Sequence, residues 1–80
     1  MTRQDIEKKV TDILVNQLGV EPEDVKNEAD FIEGLGGDSL DLVEVMMEVE
    51  REFHISVTDE EEYQVKTVAD IIGLVEKHQK

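Results

Sequence analysis

The sequence predicts an all-α fold, a small four-helix bundle with three longer helices and one short third helix. Three observations predict it. Apolar residues recur at three- and four-residue spacing in three stretches. A cap residue stands in front of each stretch: Thr2, the Asp38-Ser39 pair, and Thr67. No apolar-polar alternation runs long enough for a strand. The 80 residues make one domain over positions 1–80, with a core near the smallest that is self-sufficient. With no cysteine, a disulfide framework and a thiolate metal site are both excluded.

The first helix is expected over residues 3–18. Thr2 caps it, with Asp5 completing a capping box. Ile6, Val10, Ile13, Leu14 and Leu18 form its core stripe, and Gly19 stops it. A long connection follows. Pro22 opens Pro22-Glu23-Asp24-Val25, which suits one helical turn. Val25, Phe31, Ile32 and Leu35 are its apolar anchors, with Phe31 and Leu35 packing inward.

The second helix is expected over residues 39–53. Leu40, Leu42, Val43, Met46, Met47, Val49 and Phe53 cover a wide arc, which predicts burial against more than one neighbour. Asp41, Glu44, Glu48 and Glu52 point the other way. Met46 and Met47 either fill gaps in the core or line a pocket that opens for an aliphatic chain. The acidic row is either a solvated face or a docking surface for basic partners.

His54 to Val57 reads as an extended link. Thr58 caps a short, marginal third helix holding Asp59, Glu60, Glu61 and Glu62, whose charges suit a helix start but repel one another. Neither this acidic run nor residues 38–50 has EF-hand ligand spacing, so no metal site is expected. Thr67, with Asp70, caps the last helix. Val68, Ile71, Ile72 and Val75 are its stripe, and Lys77 and Lys80 suit its C-terminal end.

Ser39 lies where Gly36 and Gly37 run into the second helix. It can serve as a cap. It can also carry an anion, because a helix start offers free N–H donors and the positive end of the dipole. The glycines remove bulk in front of its hydroxyl. A resident nucleophile needs a base within reach. His54 lies roughly 22 Å along the helix axis at 1.5 Å per residue, and His78 is near the C-terminus. Gly37-Asp38-Ser39-Leu40 resembles the motif of GDSL esterases. Their later Asp-x-x-His pair is missing, and their α/β domain is larger than this chain. An open serine without a base suits modification by another enzyme.

The net charge is −13. Of 21 acids, all but Asp5, Glu7, Asp12, Asp70 and Glu76 lie between Glu21 and Glu62, where the bases are Lys26 and Arg51. The acid is thus concentrated around the serine. Such a field repels nucleic acid and anionic membranes and steers basic protein surfaces inward. No apolar run approaches a membrane span and no signal-peptide pattern opens the chain, so membrane insertion is not expected. The composition is compatible with a reducing cytoplasm.

Asp38-Ser39-Leu40-Asp41 resembles the phosphopantetheine attachment motif of acyl carrier proteins, bacterial fatty-acid type. The likeness extends to Leu18-Gly19-Val20, Phe31 with Leu35-Gly36, Glu50-x-Glu52-Phe53, Asp59-Glu60-Glu61 and Thr67-Val68. It covers essentially the whole chain in order and spacing. The resemblance implies an acyl-carrier-protein-like bundle that is a monomer and not an enzyme. It implies that a phosphopantetheinyl transferase moves 4′-phosphopantetheine from coenzyme A onto Ser39, flanked by Asp38 and Leu40. The arm would carry growing acyl chains as thioesters to fatty-acid synthase enzymes with basic patches. Those enzymes would contact Asp38, Asp41, Glu44, Val45 and Glu48. Val43, Met46, Met47 and Ile72 would line the acyl pocket.

Gly37 stands where alanine is usual in that family, Thr58 where proline is frequent, and Glu48 where alanine is common. These departures leave a carrier for polyketide, lipid A or D-alanyl transfer as an alternative. A second alternative is an unmodified acidic interaction module in which Ser39 only caps a helix.

Overall fold

The computed structural model describes residues 2–79. Its elements are α1 (Arg3–Leu18), a 3-10 turn (Pro22–Asp24), α2 (Ser39–Phe53), α3 (Asp59–Tyr63) and α4 (Val68–His78). These agree with the expected helices. Lys80, assigned above to the end of the last helix, lies outside the described residues.

All four α-helices start with a capping box: Thr2 with Asp5, Asp38 with Asp41, Thr58 with Glu61, and Thr67 with Asp70. In each, the cap side chain accepts an N–H one turn ahead and the acid accepts the cap's own N–H. Two orphan donors are satisfied at every start, at about 1 kcal/mol per cap. The stops are equally local. Gly19 ends α1 at φ 71° and His54 ends α2 at φ 55°, both left-handed.

The core is continuous. Ile6, Val10 and Leu14 of α1 meet Val45, Met46, Val49 and Phe53 of α2 and Val68, Ile71, Ile72 and Val75 of α4. α1 packs on both other long helices. α3 buries none of its residues. Phe31 and Leu35 enter the core from the long connection, as expected.

That connection is ordered by backbone bonds to the start of α4. The N–H groups of Phe31, Val68 and Ala69 donate to the carbonyls of Lys66, Ala29 and Asn27 at 2.8, 3.1 and 2.9 Å. Asp30 and Thr67 form an isolated antiparallel bridge. Among the described residues this bridge is the sole β feature, and no helix is long and apolar enough to cross a membrane.

Two expectations fail. The wide arc of α2 is only partly covered: Leu40, Val43 and Met47 are 73%, 42% and 54% exposed. The physical reason is angular. Residues 42, 45, 46, 49 and 53 share the side turned to the core, whereas 40, 43 and 47 fall on the next side round, which no helix covers. Ile32, expected as an anchor, is 53% exposed while its neighbour Phe31 is buried.

Candidate functional site

The site is the junction of the connection with α2. The chain reaches it through a tight knot. Asp30 Oδ1 accepts the N–H groups of Ile32 and Glu33, both at 2.9 Å, and the Asp30 carbonyl accepts those of Gly34 and Leu35. Gly37 N–H donates to the Phe31 carbonyl at 3.1 Å. Gly37 is buried because the Phe31 ring lies directly against its α-carbon. A β-carbon there would stand 2.4 Å from Phe31 Cε1 and 2.9 Å from Cδ1.

Asp38 is the cap of α2. Its Oδ1 accepts Asp41 N–H at 2.9 Å, and Asp41 Oδ2 accepts Asp38 N–H at 3.1 Å. Ser39 is therefore the first helical residue and not the cap. It is exposed, and among the described residues no side-chain hydrogen bond engages its hydroxyl. The hydroxyl stands free in the first turn of a helix, where the backbone dipoles favour an anion. His54 sits at the opposite end of α2. A phosphodiester-linked arm fits this donor set: an open oxygen, glycine in front of it, and the positive helix end beneath it.

The residues expected at the docking surface divide. Asp38 and Glu44 lie exposed at the outside of α2, with Asp41 and Glu48 half-buried. Glu44 accepts a hydrogen bond from Gln17 Nε2 at 2.8 Å, and Glu48 pairs with Arg51 at 2.8 Å. Val45 does not lie there. It is fully buried between the helices, one position off the exposed row, so its assignment to partner contact is corrected.

The expected acyl-pocket residues divide in the same way. Met46 and Ile72 are in the core, and Val43 and Met47 face outward. Those two line no interior space, for the angular reason given above, and this assignment is corrected too. A surface cleft that the sequence reading did not name opens beside the first turn of α2. It measures about 310 Å³ and is walled by Phe31, Ile32, Leu42 and Val65, with Asp30, Glu33 and Lys66 at its polar rim. Leu42 is three residues beyond Ser39, one turn along the same helix face. The available signal was the pairing of Leu42 with Phe31 and Val65, but it spans three separate segments.

α3 is held at the side of the bundle by one carboxylate. Glu61 pairs with Lys77 Nζ at 2.8 Å and with His78 Nε2 at 3.0 Å, while also serving the Thr58 cap. Lys77, then the Thr58 backbone N–H, then His78 pull the Glu61 carboxyl down to about 2. Next to it, burial followed by repulsion from Asp59 and Glu50 pushes Glu62 upward.

The sequence model of the phosphopantetheine attachment site matches residues 8–75. The acyl carrier protein of Bdellovibrio bacteriovorus is 51% identical over 72 residues, covering 90% of this chain and 92% of that protein. The acyl carrier protein of Porphyromonas gingivalis is 47% identical over 76 residues, covering 95% and 97%. A solved structure of the acyl carrier protein from Enterococcus faecalis superposes with a TM-score of 0.83 at 26% identity, covering 99% of this chain and 100% of that one. With the helical bundle, the glycine-fed serine turn and matches of this length in agreement, the chain belongs to the acyl carrier proteins, carriers and not enzymes, whose cofactor is 4′-phosphopantetheine.

Proposed function

We propose that Ser39 bears the 4′-phosphopantetheine arm and that the protein carries growing fatty-acyl chains, as a cytoplasmic monomer, between the enzymes of fatty-acid synthesis. One observation carries the assignment. Asp38 does the capping, so Ser39 Oγ is left exposed and unengaged at the helix start. The likeness to two bacterial acyl carrier proteins near half identity supports the pathway.

The arm supplies a terminal thiol on which an acyl group is held as a thioester. The residues of this chain do the rest. Ser39 Oγ forms the phosphodiester. As that bond forms, the phosphoanhydride bond of coenzyme A would break and adenosine 3′,5′-bisphosphate would leave, while the serine proton passes to a base of the transferase, since His54 stands at the far end of α2. Asp38 and Asp41 lock the first turn and so fix where the arm departs. The cleft between Phe31, Ile32, Leu42 and Val65 takes the acyl chain in place of the outward-facing Val43 and Met47.

Partners dock along α2. Leu40, Val43 and Met47 form an exposed apolar row beside Glu44 and Glu48. An apolar centre with an acidic border fits an enzyme surface with an apolar patch ringed by Lys and Arg. Glu44→Lys with Glu48→Lys is expected to weaken binding to such a synthase at least tenfold and to flatten its salt dependence, measured by titration at two ionic strengths. Unchanged affinity would remove the acidic row from the interface.

The deciding experiment is intact mass after incubation with coenzyme A, Mg²⁺ and a broad-specificity phosphopantetheinyl transferase. The expected result is one added arm in the wild type and none in Ser39→Ala. No addition, with the transferase active on a control carrier, overturns the proposal in favour of an unmodified interaction module.

A further inference from the structure

We infer that Met47 is a site of reversible oxidation, at which a hydroperoxide weakens docking on α2 while leaving the fold intact. The inference rests on the docking along α2 proposed above. Three observations carry it. Met46 and Met47 are adjacent in sequence yet 0% and 54% exposed, because successive side chains on a helix point about 100° apart. Met47 ends the exposed apolar row begun by Leu40 and Val43, with the carboxylates of Glu44 and Glu48 beside it. The chain has no cysteine, so no thiol of its own competes for the oxidant.

A lone pair of the Met47 sulfur attacks one oxygen of hydrogen peroxide. The O–O bond breaks as the S–O bond forms, so the sulfur gives up an electron pair and the peroxide is reduced. The proton on the transferred oxygen passes to the departing one, which leaves as water. A methionine sulfoxide reductase reverses the step with a dithiol: the oxygen leaves as water and the dithiol becomes a disulfide. The sulfoxide is polar, and covering it with an apolar partner surface costs free energy that covering the thioether does not. The docking row thereby loses its apolar end. The core loses nothing, because Met47 lies outside it and Met46, which lies within it, is shielded from solvent.

The test treats the full chain, before any arm is attached, with hydrogen peroxide and then removes the peroxide. Fragment masses locate the added oxygen, and it is expected on Met47 with Met46 spared. Helicity and Tm are expected to stay at their untreated values. The phosphopantetheinyl transferase, which must approach α2 to reach Ser39, then reads docking through its KM for the carrier. Oxidation is expected to raise that KM by about tenfold, the lower end for burial of a methionine side chain. The reductase with a dithiol is expected to return it. Met47→Leu is expected to show the same KM before and after peroxide.

Equal oxidation of Met46 and Met47 overturns the inference. So does an unchanged KM once Met47 is fully oxidised, or a rise in KM that Met47→Leu shares, which places the lesion elsewhere. A rise that comes with lost helicity overturns it too, since the fold and not the row is then what peroxide damages. Met47→Gln, polar without any oxidant, separates the two readings. If Met47→Gln leaves KM unchanged, the apolar row is not a docking surface and this inference falls with it. If Met47→Gln raises KM but peroxide spares Met47, this inference alone fails. A wild type that takes no arm overturns the proposed function and this inference together.

Discussion

Asp38 and Ser39 are adjacent, and both residue types cap helices well, yet the structure gives them separate tasks. Asp38 closes a reciprocal pair of bonds with Asp41, and Ser39 is left with an open hydroxyl. The consequence is measurable as stability. Ser39→Ala removes no cap and introduces a better helix former, so its unfolding free energy should stay within about 0.5 kcal/mol of wild type. Asp38→Ala should lose about 1 kcal/mol. Denaturant melts of the two variants check this, and a larger loss in Ser39→Ala would return the cap to Ser39. His54 offers the opposite case, a residue in a conformation its type disfavours. It is the one non-glycine residue with positive φ among those described, at 55°. A β-carbon in the left-handed region costs about 1 kcal/mol that glycine avoids. His54→Gly should therefore raise Tm by about 4–8 °C in a chain of this size. A lowered Tm would mean that the imidazole makes a compensating contact.

At the scale of elements, what the sequence disclosed and what it hid separate cleanly by range. The starts of the four helices, and the stop at Gly19, rest on residues within one turn of each other, such as Thr2 with Asp5 and Thr67 with Asp70, and were legible for that reason. The division of α2 into a buried and an open apolar side was not legible. It depends on where α1 and α4 lie, which no local spacing records. The ties from Phe31 and Ala29 to α4 are backbone bonds, which carry no side-chain signature at all. α3 shows both kinds of information. Its acids and its Thr58 cap were readable, but its attachment to α4 through Glu61, Lys77 and His78 joins residues 16 and 17 positions apart. That attachment predicts a pH dependence. Glu61 titrates near 2, against an ordinary 4.5, so its contribution is fully present above 4.5 and is lost as pH falls towards 2. Glu61→Gln should be less stable than wild type at neutral pH, and the difference in Tm should close across that window. A difference that persists at pH of about 2 would show that Glu61 stabilises α3 through its cap geometry and not its charge.

Over the whole molecule, two electrostatic effects oppose one another, and their reach decides between them. Lys9 of α1 and Lys77 of α4 extend to Glu52 and Glu61 at 2.8 Å, and Arg3 pairs with Glu76, so bridges stitch the helices together. These pairs lie at the surface, where ion pairs contribute little and weaken with salt. Against them stands a net charge of −13. The molecule measures 31 × 25 × 19 Å. The screening length is about 30 Å at 0.01 M ionic strength and about 8 Å at 0.15 M. In dilute buffer nearly every acid therefore repels every other across the bundle, and at physiological salt only near neighbours do. Unfolding spreads the charges apart and relieves that repulsion. Raising sodium chloride from about 0.01 to 0.15 M should thus stabilise the fold and raise Tm, even as it loosens the bridges. Thermal melts along a salt series, with divalent cations chelated, read the sign directly. A falling Tm would show that the few bridges outweigh the excess acid. The acid around α2 would then carry no stability cost. A rising Tm means that the fold tolerates a repulsive field, and a basic enzyme surface docked on α2 would relieve it.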